Sequence, residues 1–436
     1  MTSHTSKSTT FVSVPLTQTY TDHVRKAVTG AAQSVQRLET IDLFRGLIMV
    51  IMLIDHTRDF VHRDGMGTDP MALATTTPIL YFTRWITHFC APGFVLLAGV
   101  SAGIQRQRGA TIPALSKFLW SRGLVLIFME VVVIRLIVQT NFASNFVGNL
   151  QVIWAIGVSM IALAALIHLP KRIVFLIGLA IVFGHNFLDR FTVPVWTGRA
   201  APAPTVWGKI WMLVHQGGHF PIGDSHSAIV KAAYPVLPWI GVIAVGYAFA
   251  DLWSWDAERR RRTLRILAFA MIAVFFALRI GNVYGDNQPW LVQDTFFKSF
   301  ASFMNVQKYP PSLQYLLATL APSFLLLSWL EGRNFKSTIS RALITYGRVP
   351  MFYYLLQWTW ARVSGMIVTA AAGLPIDQYF RSRAATFLGA PPQVFGGTLV
   401  HVYVVWALGV FVLYFPCRWY ADVKARRKDL VLLRYL

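Results

Sequence analysis

Ten stretches of about 20 mostly apolar residues recur along the chain, at 41–60, 85–104, 117–138, 149–169, 172–190, 233–253, 264–284, 312–331, 346–370 and 398–420. A hydrocarbon core about 30 Å thick is crossed by about 20 residues of helix, so each stretch is long enough to span a bilayer. Hydrophobic residues make up 55% of the 436 and charged residues 14%, where a soluble domain carries roughly 25% charged. A water-soluble fold of this length has too little interior to hide so much apolar surface. In lipid the backbone must satisfy its own hydrogen bonds, which a helix does within one segment. The spacing predicts an all-α, polytopic transmembrane helix bundle with about ten spans. Several spans contain Gly or Pro, which neighbouring helices can accommodate.

The charge pattern orients the bundle. The net charge is +21, which in a soluble protein would point to nucleic acid. Here 24 of the 40 Lys and Arg fall on alternate loops, among them Arg106, Arg108, the run Arg259 to Arg262 and the tail, while the intervening loops hold 11. That asymmetry is the positive-inside pattern, and it predicts both termini in the cytoplasm. It also accounts for the charge without a nucleic-acid partner. Residues 1–36 are polar and Ser/Thr-rich, with no signal-peptide n-region and h-region. They read as a mobile cytoplasmic extension, ending in a short amphipathic helix near 22–37. Residues 426–436 read as a basic cytoplasmic tail. Cys90 and Cys417 lie inside apolar runs, where packing is the expected role rather than a disulfide or a metal site.

Ionisable side chains within a span cost about 2.5–3.5 kcal/mol each on insertion scales, so they usually face a cavity and mark function. The first run holds Asp42, Arg45, Asp55, His56, Arg58 and Asp59. At about 100° per residue, Arg45 and His56 lie within about 20° of one helix face and about 16 Å apart along it. One helix thus presents a fixed cation near the cytoplasmic surface and an imidazole toward the outer side. Eight histidines fall at or beyond the outer third: His56, His62, His88, His185, His215, His219, His226 and His401. Imidazole suits proton transfer near neutral pH, and His56, His88 and His401 sit at helix ends that could converge. A helix-end histidine is more often interfacial, but His56 belongs to an Asp-His-Thr-Arg-Asp cluster. His215 and His219 lack an evident third ligand, so no metal is expected.

Glu130, Arg135, Arg279 and Arg362 are also intramembrane, and structural pairing, such as Glu130 with a neighbouring Arg, is the bland reading. The small residues from Ala91 to Gly103 predict a close helix approach. Two outer segments are long, 191–232 and 285–311, and loops of that length are usually functional. The aromatics of the first, Trp207 and Trp211, suggest packing on the membrane surface or over a cavity mouth.

Several blocks then carry a family resemblance. Arg37-Leu38-Glu39-Thr40-Ile41-Asp42-Leu43-Phe44-Arg45-Gly46 is followed by Asp55-His56-Thr57-Arg58-Asp59-Phe60 and by Phe82-Thr83-Arg84-Trp85-Ile86-Thr87-His88-Phe89-Cys90-Ala91-Pro92-Gly93-Phe94. Further blocks are Tyr234-Pro235-Val236-Leu237-Pro238-Trp239-Ile240-Gly241, Asn282-Val283-Tyr284-Gly285-Asp286, Lys308-Tyr309-Pro310-Pro311-Ser312-Leu313 and Tyr346-Gly347-Arg348-Val349-Pro350-Met351-Phe352-Tyr353-Tyr354. In this order they resemble the heparan-α-glucosaminide N-acetyltransferase catalytic-domain family, in its bacterial branch, within the transmembrane acyltransferase superfamily.

The resemblance implies that 37–425 is an acyltransferase-like domain in a bacterial inner membrane. It implies an acyl-CoA donor, acetyl-CoA first among candidates, used as a co-substrate rather than a bound cofactor, and a glycan or small-molecule acceptor at the outer face. The superfamily's Arg-x10-His pattern maps onto Arg45 and His56, with His56 as the catalytic imidazole. Arg45, Arg122 and Arg348 would then hold the donor's phosphates. Asp55 or Asp59 would orient the imidazole, with Glu130 the alternative, and His62, Thr87, His88 and Tyr234 would meet the acceptor. Whether His56, His62 or His88 is the base stays open.

The chain departs from the family in three places. It has no Phe-Lys-His segment after the first span, where His62 is the nearest substitute. Val125 stands where an Arg-x-x-Arg pair beginning at Arg122 would end. Leu356-Gln357 replaces a Leu-His pair. The competing class is a secondary transporter or carrier for a small polar or anionic solute, disfavoured by the lack of visible inverted repeats. A structural or sensory membrane protein is the third class. A homodimer is one assembly open to the chain under any of these readings.

Overall fold

A computed structural model of the protein describes residues 16–65, 69–138, 146–198, 200–223, 228–380 and 393–427, together with 429, 430 and 433, with backbone alone for 16–38 and 146–147. A helix occupies each of the ten apolar stretches, and the fold is an all-α membrane bundle with one small sheet. Among the described residues, six helices are long and apolar enough to cross a membrane: Pro78–Gln107, Lys171–Arg190, Leu237–Ser254, Ala257–Gly281, Leu313–Leu330 and Leu399–Arg426.

The first helix, α1 (Leu16–Val61), has 46 residues, about 69 Å at 1.5 Å per residue. The short helix expected near 22–37 is therefore not separate but continuous with the first span. Next come α2 (Pro78–Trp85), α3 (Cys90–Gln107) and α4 (Ile112–Phe128), and α4 widens through a π-helical turn at Met129–Ile134 into α5 (Arg135–Val138). Strand β1 (Phe146–Leu150) leads into α6 (Val152–Leu166) and α7 (Lys171–Gly184).

The segment expected at 191–232 folds as α8 (Val206–Trp211) and a hairpin of β2 (Gly218–Ile222) and β3 (Ala228–Ala232). Strand β3 pairs in parallel with β1 and antiparallel with β2, placing Gly148 and Phe220 on either side of Val230. His226 lies outside the described residues. The rest of the bundle is α9 (Leu237–Phe249), α10 (Ala257–Gly281), α11 (Phe296–Met304), α12 (Leu313–Leu330), α13 (Thr338–Arg348), α14 (Pro350–Ala371), α15 (Leu399–Val412) and α16 (Tyr414–Arg426). Starts are marked by side-chain caps: Asp256 accepts from the Arg259 amide at 2.8 Å and Ser312 from the Tyr315 amide at 3.0 Å.

The bundle is layered from centre to rim. The α3, α9 and α12 spans are 72%, 67% and 78% buried, whereas those of α7, α10 and α15–α16 are each 22% buried and show apolar faces outward. Helix α1 packs on α13, α14 and α3, and α3 packs on α9. Small residues make these approaches close. A Cβ added at Gly46 would lie 1.8 Å from the Leu343 carbonyl oxygen, and one at Gly347 would lie 1.8 Å from that of Asp42. Gly99 and Gly246 meet the Ile243 and Leu96 carbonyls in the same way, so the small-residue stretch of α3 is a packing face. Gly46→Val should push α1 off α13 at a cost of at least about 1–3 kcal/mol. Thermal unfolding in detergent would measure it, and an unchanged midpoint would contradict the close crossing.

Two buried cations, Arg279 and Arg362, are held mainly by backbone carbonyls, with Asp286 3.9 Å from Arg279, whereas the buried Arg260 pairs with Glu331 at 2.5 Å. Arg279 is 1% exposed and donates to the carbonyls of Gln288, Phe303, Ser302 and Asn305 at 2.7, 2.8, 2.9 and 3.1 Å. It thereby ties the 285–311 segment to α10. Arg362 does the same for the Tyr379, Ile137 and Val138 carbonyls. Glu130, expected beside an arginine, instead accepts the Ile153 and Trp154 amides at 3.1 and 3.3 Å and so caps α6. A carboxylate there satisfies two of the four orphan amides of a helix start.

Candidate functional site

Two cavities lie one beyond the other along α1. The first, about 260 Å³, opens where Arg45, Arg122, Arg348 and Lys424 gather, and its walls are mostly apolar, with Met49, Leu97, Phe118, Leu126, Ile156 and Met351 among them. Arg45 is fixed in place. Its Nη1 donates to Asp42 Oδ1 at 3.0 Å and to the Gly347 carbonyl at 2.9 Å, and its Nη2 reaches Ser101 Oγ at 3.3 Å. The close α1–α13 crossing brings Gly347 within that reach, so the two glycines that let the helices touch also place Arg45 and Arg348 at one mouth. Arg348 lies 3.8 Å from both Asp42 and Glu39. Four cations around an apolar chamber suit a ligand with a polyanionic head and a slender, less polar arm.

The second cavity is polar and larger, about 470 Å³. His56, 8% exposed, stands in its wall with its ring tilted against Trp358 at 3.7 Å between centroids, and Tyr354 lies edge-on at 6.0 Å. A network of charges runs beside it. Asp55 pairs with Arg84 and, at 3.4 Å, with Arg58, which also holds Asp59 at 2.6 Å. Arg84 goes on to Thr87 Oγ1 at 3.3 Å and to the Tyr309 hydroxyl at 3.4 Å, and the Tyr309 ring meets Tyr234 at 5.2 Å. The sheet closes one side through His219, Lys231 and Ala232. Burial, then the Lys231 ammonium, pushes His219 down to about 4, leaving it neutral at ordinary pH.

The cavities share four lining residues: Met52, Phe94, Val152 and Tyr354. These form a collar between Arg45 and His56, contributed by α1, α3, α6 and α14. These side chains stand between the basic mouth and the His56 chamber.

The structure brings most of the expected residues to one or other cavity. Arg45, Arg122 and Arg348 line the first, and Asp55, His56, Asp59, Thr87 and Tyr234 line the second. Glu130 lines neither. His88 is 3% exposed and lies outside both linings, with its backbone carbonyl accepting from Tyr315 at 2.8 Å. His62 sits past the end of α1, where it bridges Gly397 and accepts the Asp64 amide at 3.3 Å, and burial holds its imidazole below the usual value. His401 caps α15 by accepting the Thr398 amide at 3.1 Å, so His56, His88 and His401 do not converge. His215 pairs with Asp189 at 2.8 Å. Among the described residues no group of three or more His, Cys, Asp or Glu could hold a metal ion.

Other lining residues carry no role in a linear reading: Arg84, Lys308, Tyr309, Tyr354, Trp358, His219 and Lys424. Arg84, Lys308, Tyr309 and Tyr354 lie inside the resemblance blocks, which was their one signal. Their partners are too distant in the chain for spacing to connect them. Trp207 and Trp211 stack on each other at 6.0 Å outside both linings, so the cavity mouth is covered by the hairpin rather than by these aromatics.

A bundle of apolar helices long enough to cross a membrane, with a basic-mouthed cavity and a polar cavity meeting at one collar of side chains, is an integral membrane protein. The chain belongs to the heparan-alpha-glucosaminide N-acetyltransferase catalytic family, whose profile matches residues 37–282, more than half of the sequence. That membership makes it a transmembrane acetyltransferase in general and implies acetyl-CoA as co-substrate. The matched range includes Arg45, His56, Arg84 and Arg122 and ends before Lys308, Arg348 and Tyr354. Comparison with curated proteins finds no match.

Proposed function

We propose that the protein transfers an acetyl group from cytoplasmic acetyl-CoA to an amine or hydroxyl on a glycan or small molecule at the outer face of a bacterial inner membrane. The basic mouth faces the cytoplasm in this reading. Arg45, Arg122, Arg348 and Lys424 meet the nucleotide phosphates, and the pantetheine arm lies along the apolar walls toward the collar. The observation that carries the proposal is the shared collar of Met52, Phe94, Val152 and Tyr354, because a thioester held there faces the acceptor chamber.

The reaction then needs one proton acceptor beside the acceptor group. As the amine or hydroxyl attacks the thioester carbonyl, the new N–C or O–C bond forms and the C–S bond breaks. His56 takes the acceptor's proton and then gives it to the departing coenzyme A thiolate, which leaves as the thiol and returns the imidazole to its neutral form. The Asp55–Arg84 network beside His56 keeps the chamber polar.

The test is coenzyme A release from acetyl-CoA by the purified protein, with and without glycan acceptors. Failure of the wild type to bind acetyl-CoA would remove the proposal, and uptake of a labelled solute without bond chemistry would favour a carrier. Arg122→Gln should raise the KM for acetyl-CoA about tenfold or more with kcat nearly unchanged, as loss of one charge-assisted contact to phosphate implies. An unaltered KM would take Arg122 out of the donor site.

A further inference from the structure

A third cavity, about 630 Å³, opens between α13, α16 and the Glu39 turn of α1. Its charged lining is four cations, Lys336, Arg341, Arg348 and Arg418, against two carboxylates, Glu39 and Asp422. Glu39 is engaged by Arg348, 3.8 Å away. Among the described residues the side chains of Lys336, Arg341 and Arg418 make no ion pair and no hydrogen bond, and Asp422 pairs with none of them. The cavity therefore keeps an excess of positive charge. Neither end of the chain is suited to offset it. Residues 1–36 hold one acid, Asp22, and residues 426–436 one, Asp429, each among more numerous cations.

The depth of the cavity in the bundle identifies what it faces. The α15–α16 span starts at Leu399, next to Gly397, which bridges His62 past the far end of α1. Arg418 follows 19 residues later, about 28 Å along a helix. A hydrocarbon core about 30 Å thick gives way to headgroups at that level. On the same helix Phe411, Phe415 and Trp419 are exposed and spaced four apart, so they share one side of it. This apolar stripe runs through the hydrocarbon layer to the edge of the cavity, and it ends in Trp, the residue type that settles at the membrane interface.

We propose that this cavity holds the phosphate headgroup of an anionic glycerophospholipid, from the leaflet on the side of the basic mouth. Its acyl chains lie against Phe411, Phe415 and Trp419. Guanidinium groups pair well with phosphate oxygens, and basic pockets between spans at the headgroup level suit anionic lipids. A zwitterionic lipid brings its own ammonium among the cations and binds less well. A soluble phosphate leaves the aromatic stripe unused. Arg348 lines both this cavity and the first one, so the lipid stands beside the mouth without filling it.

The experiment equilibrates the full-length protein in dodecylmaltoside with equimolar dimyristoyl phosphatidylglycerol and dimyristoyl phosphatidylcholine, and counts retained lipids by native mass spectrometry. One phosphatidylglycerol should be retained about tenfold or more over phosphatidylcholine, the scale expected where several Lys and Arg meet an anionic lipid. Arg341→Gln/Arg418→Gln should lower that preference about tenfold, and Arg341→Lys/Arg418→Lys should keep most of it. Both arginines are exposed, so neither change burdens the core. Arg259→Gln/Arg262→Gln removes the same charge from the exposed start of α10 and should leave the preference within about twofold. Equal retention of the two lipids would overturn the site. An equal loss in both Gln variants would reduce it to diffuse attraction and overturn it as well. Acetyl-CoA and glycerol 3-phosphate, titrated into the same preparations, test for a soluble source of the phosphate. If Arg341→Gln/Arg418→Gln weakens either of these tenfold while phosphatidylglycerol is retained as before, the cavity belongs to a soluble anion and the lipid assignment falls. No turnover is read, so the result is decided independently of whether the protein transfers acetyl groups.

Discussion

Replacing His56 by Asn should lower acetyl transfer by about 10²- to 10⁴-fold, the usual contribution of a positioned general base, while leaving acetyl-CoA binding intact. The separation follows from geometry. His56 lines only the polar chamber, whereas Arg45, Arg122, Arg348 and Lys424 line only the basic one. Donor affinity and proton transfer are thus placed on different sides of the Met52–Phe94–Val152–Tyr354 collar. The substitution keeps a polar side chain against Trp358, so a folding defect is checked by thermal unfolding of the same preparation. His62→Asn and His88→Asn provide the contrast, because neither histidine lines either of the two cavities. Their turnover should stay within a few-fold of wild type. A His56→Asn enzyme that turns over normally would move the base elsewhere, and a collapse confined to His62→Asn would favour the loop histidine.

The second large effect is on stability. Asp55 is the shared partner of Arg84 and Arg58, and the three side chains are 17%, 13% and 6% exposed. Asp55→Leu removes the only carboxylate that Arg84 pairs with among the described residues and should cost about 3–5 kcal/mol, the range for breaking one side of a buried pair. Arg84→Leu should cost a similar amount. The double variant Asp55→Leu/Arg84→Leu should be clearly less damaging than the sum, because no uncompensated charge is left between α1 and α2. Denaturant unfolding in a fixed detergent measures all three. Additive losses would mean that the pair is not coupled and that the network is only a wet cavity wall.

The collar and the charge network also show what could be read along the chain and what could not. The apolar runs were legible because span length is a local property: about 20 residues cross a bilayer whatever surrounds them. The Arg45–His56 stripe was legible for the same reason, since helical periodicity places residues eleven apart on nearly one face. Gly46 and Gly347 were visible only as members of family blocks, and their use as a helix crossing depends on two carbonyls 1.8 Å from where a Cβ would stand. Glu130 was misplaced because burial alone suggested a charged partner. The α6 amide end that satisfies it is created by a chain turn more than twenty residues later. The hairpin over the second cavity was missed because a three-stranded sheet between spans leaves no long periodic signal, and β1 and β3 meet across about eighty residues of chain.

From the amino-acid sequence alone came the membrane bundle, the family and the cation and imidazole on one face of the first helix, each set by local periodicity or by consecutive residues. Only the tertiary structure divided that stripe between two chambers, because the dividing residues arrive from four separate helices. It likewise set Arg84 against Asp55 from 29 positions away. Helix geometry fixes which way a side chain points, but the charge balance it meets depends on what other segments bring to that face.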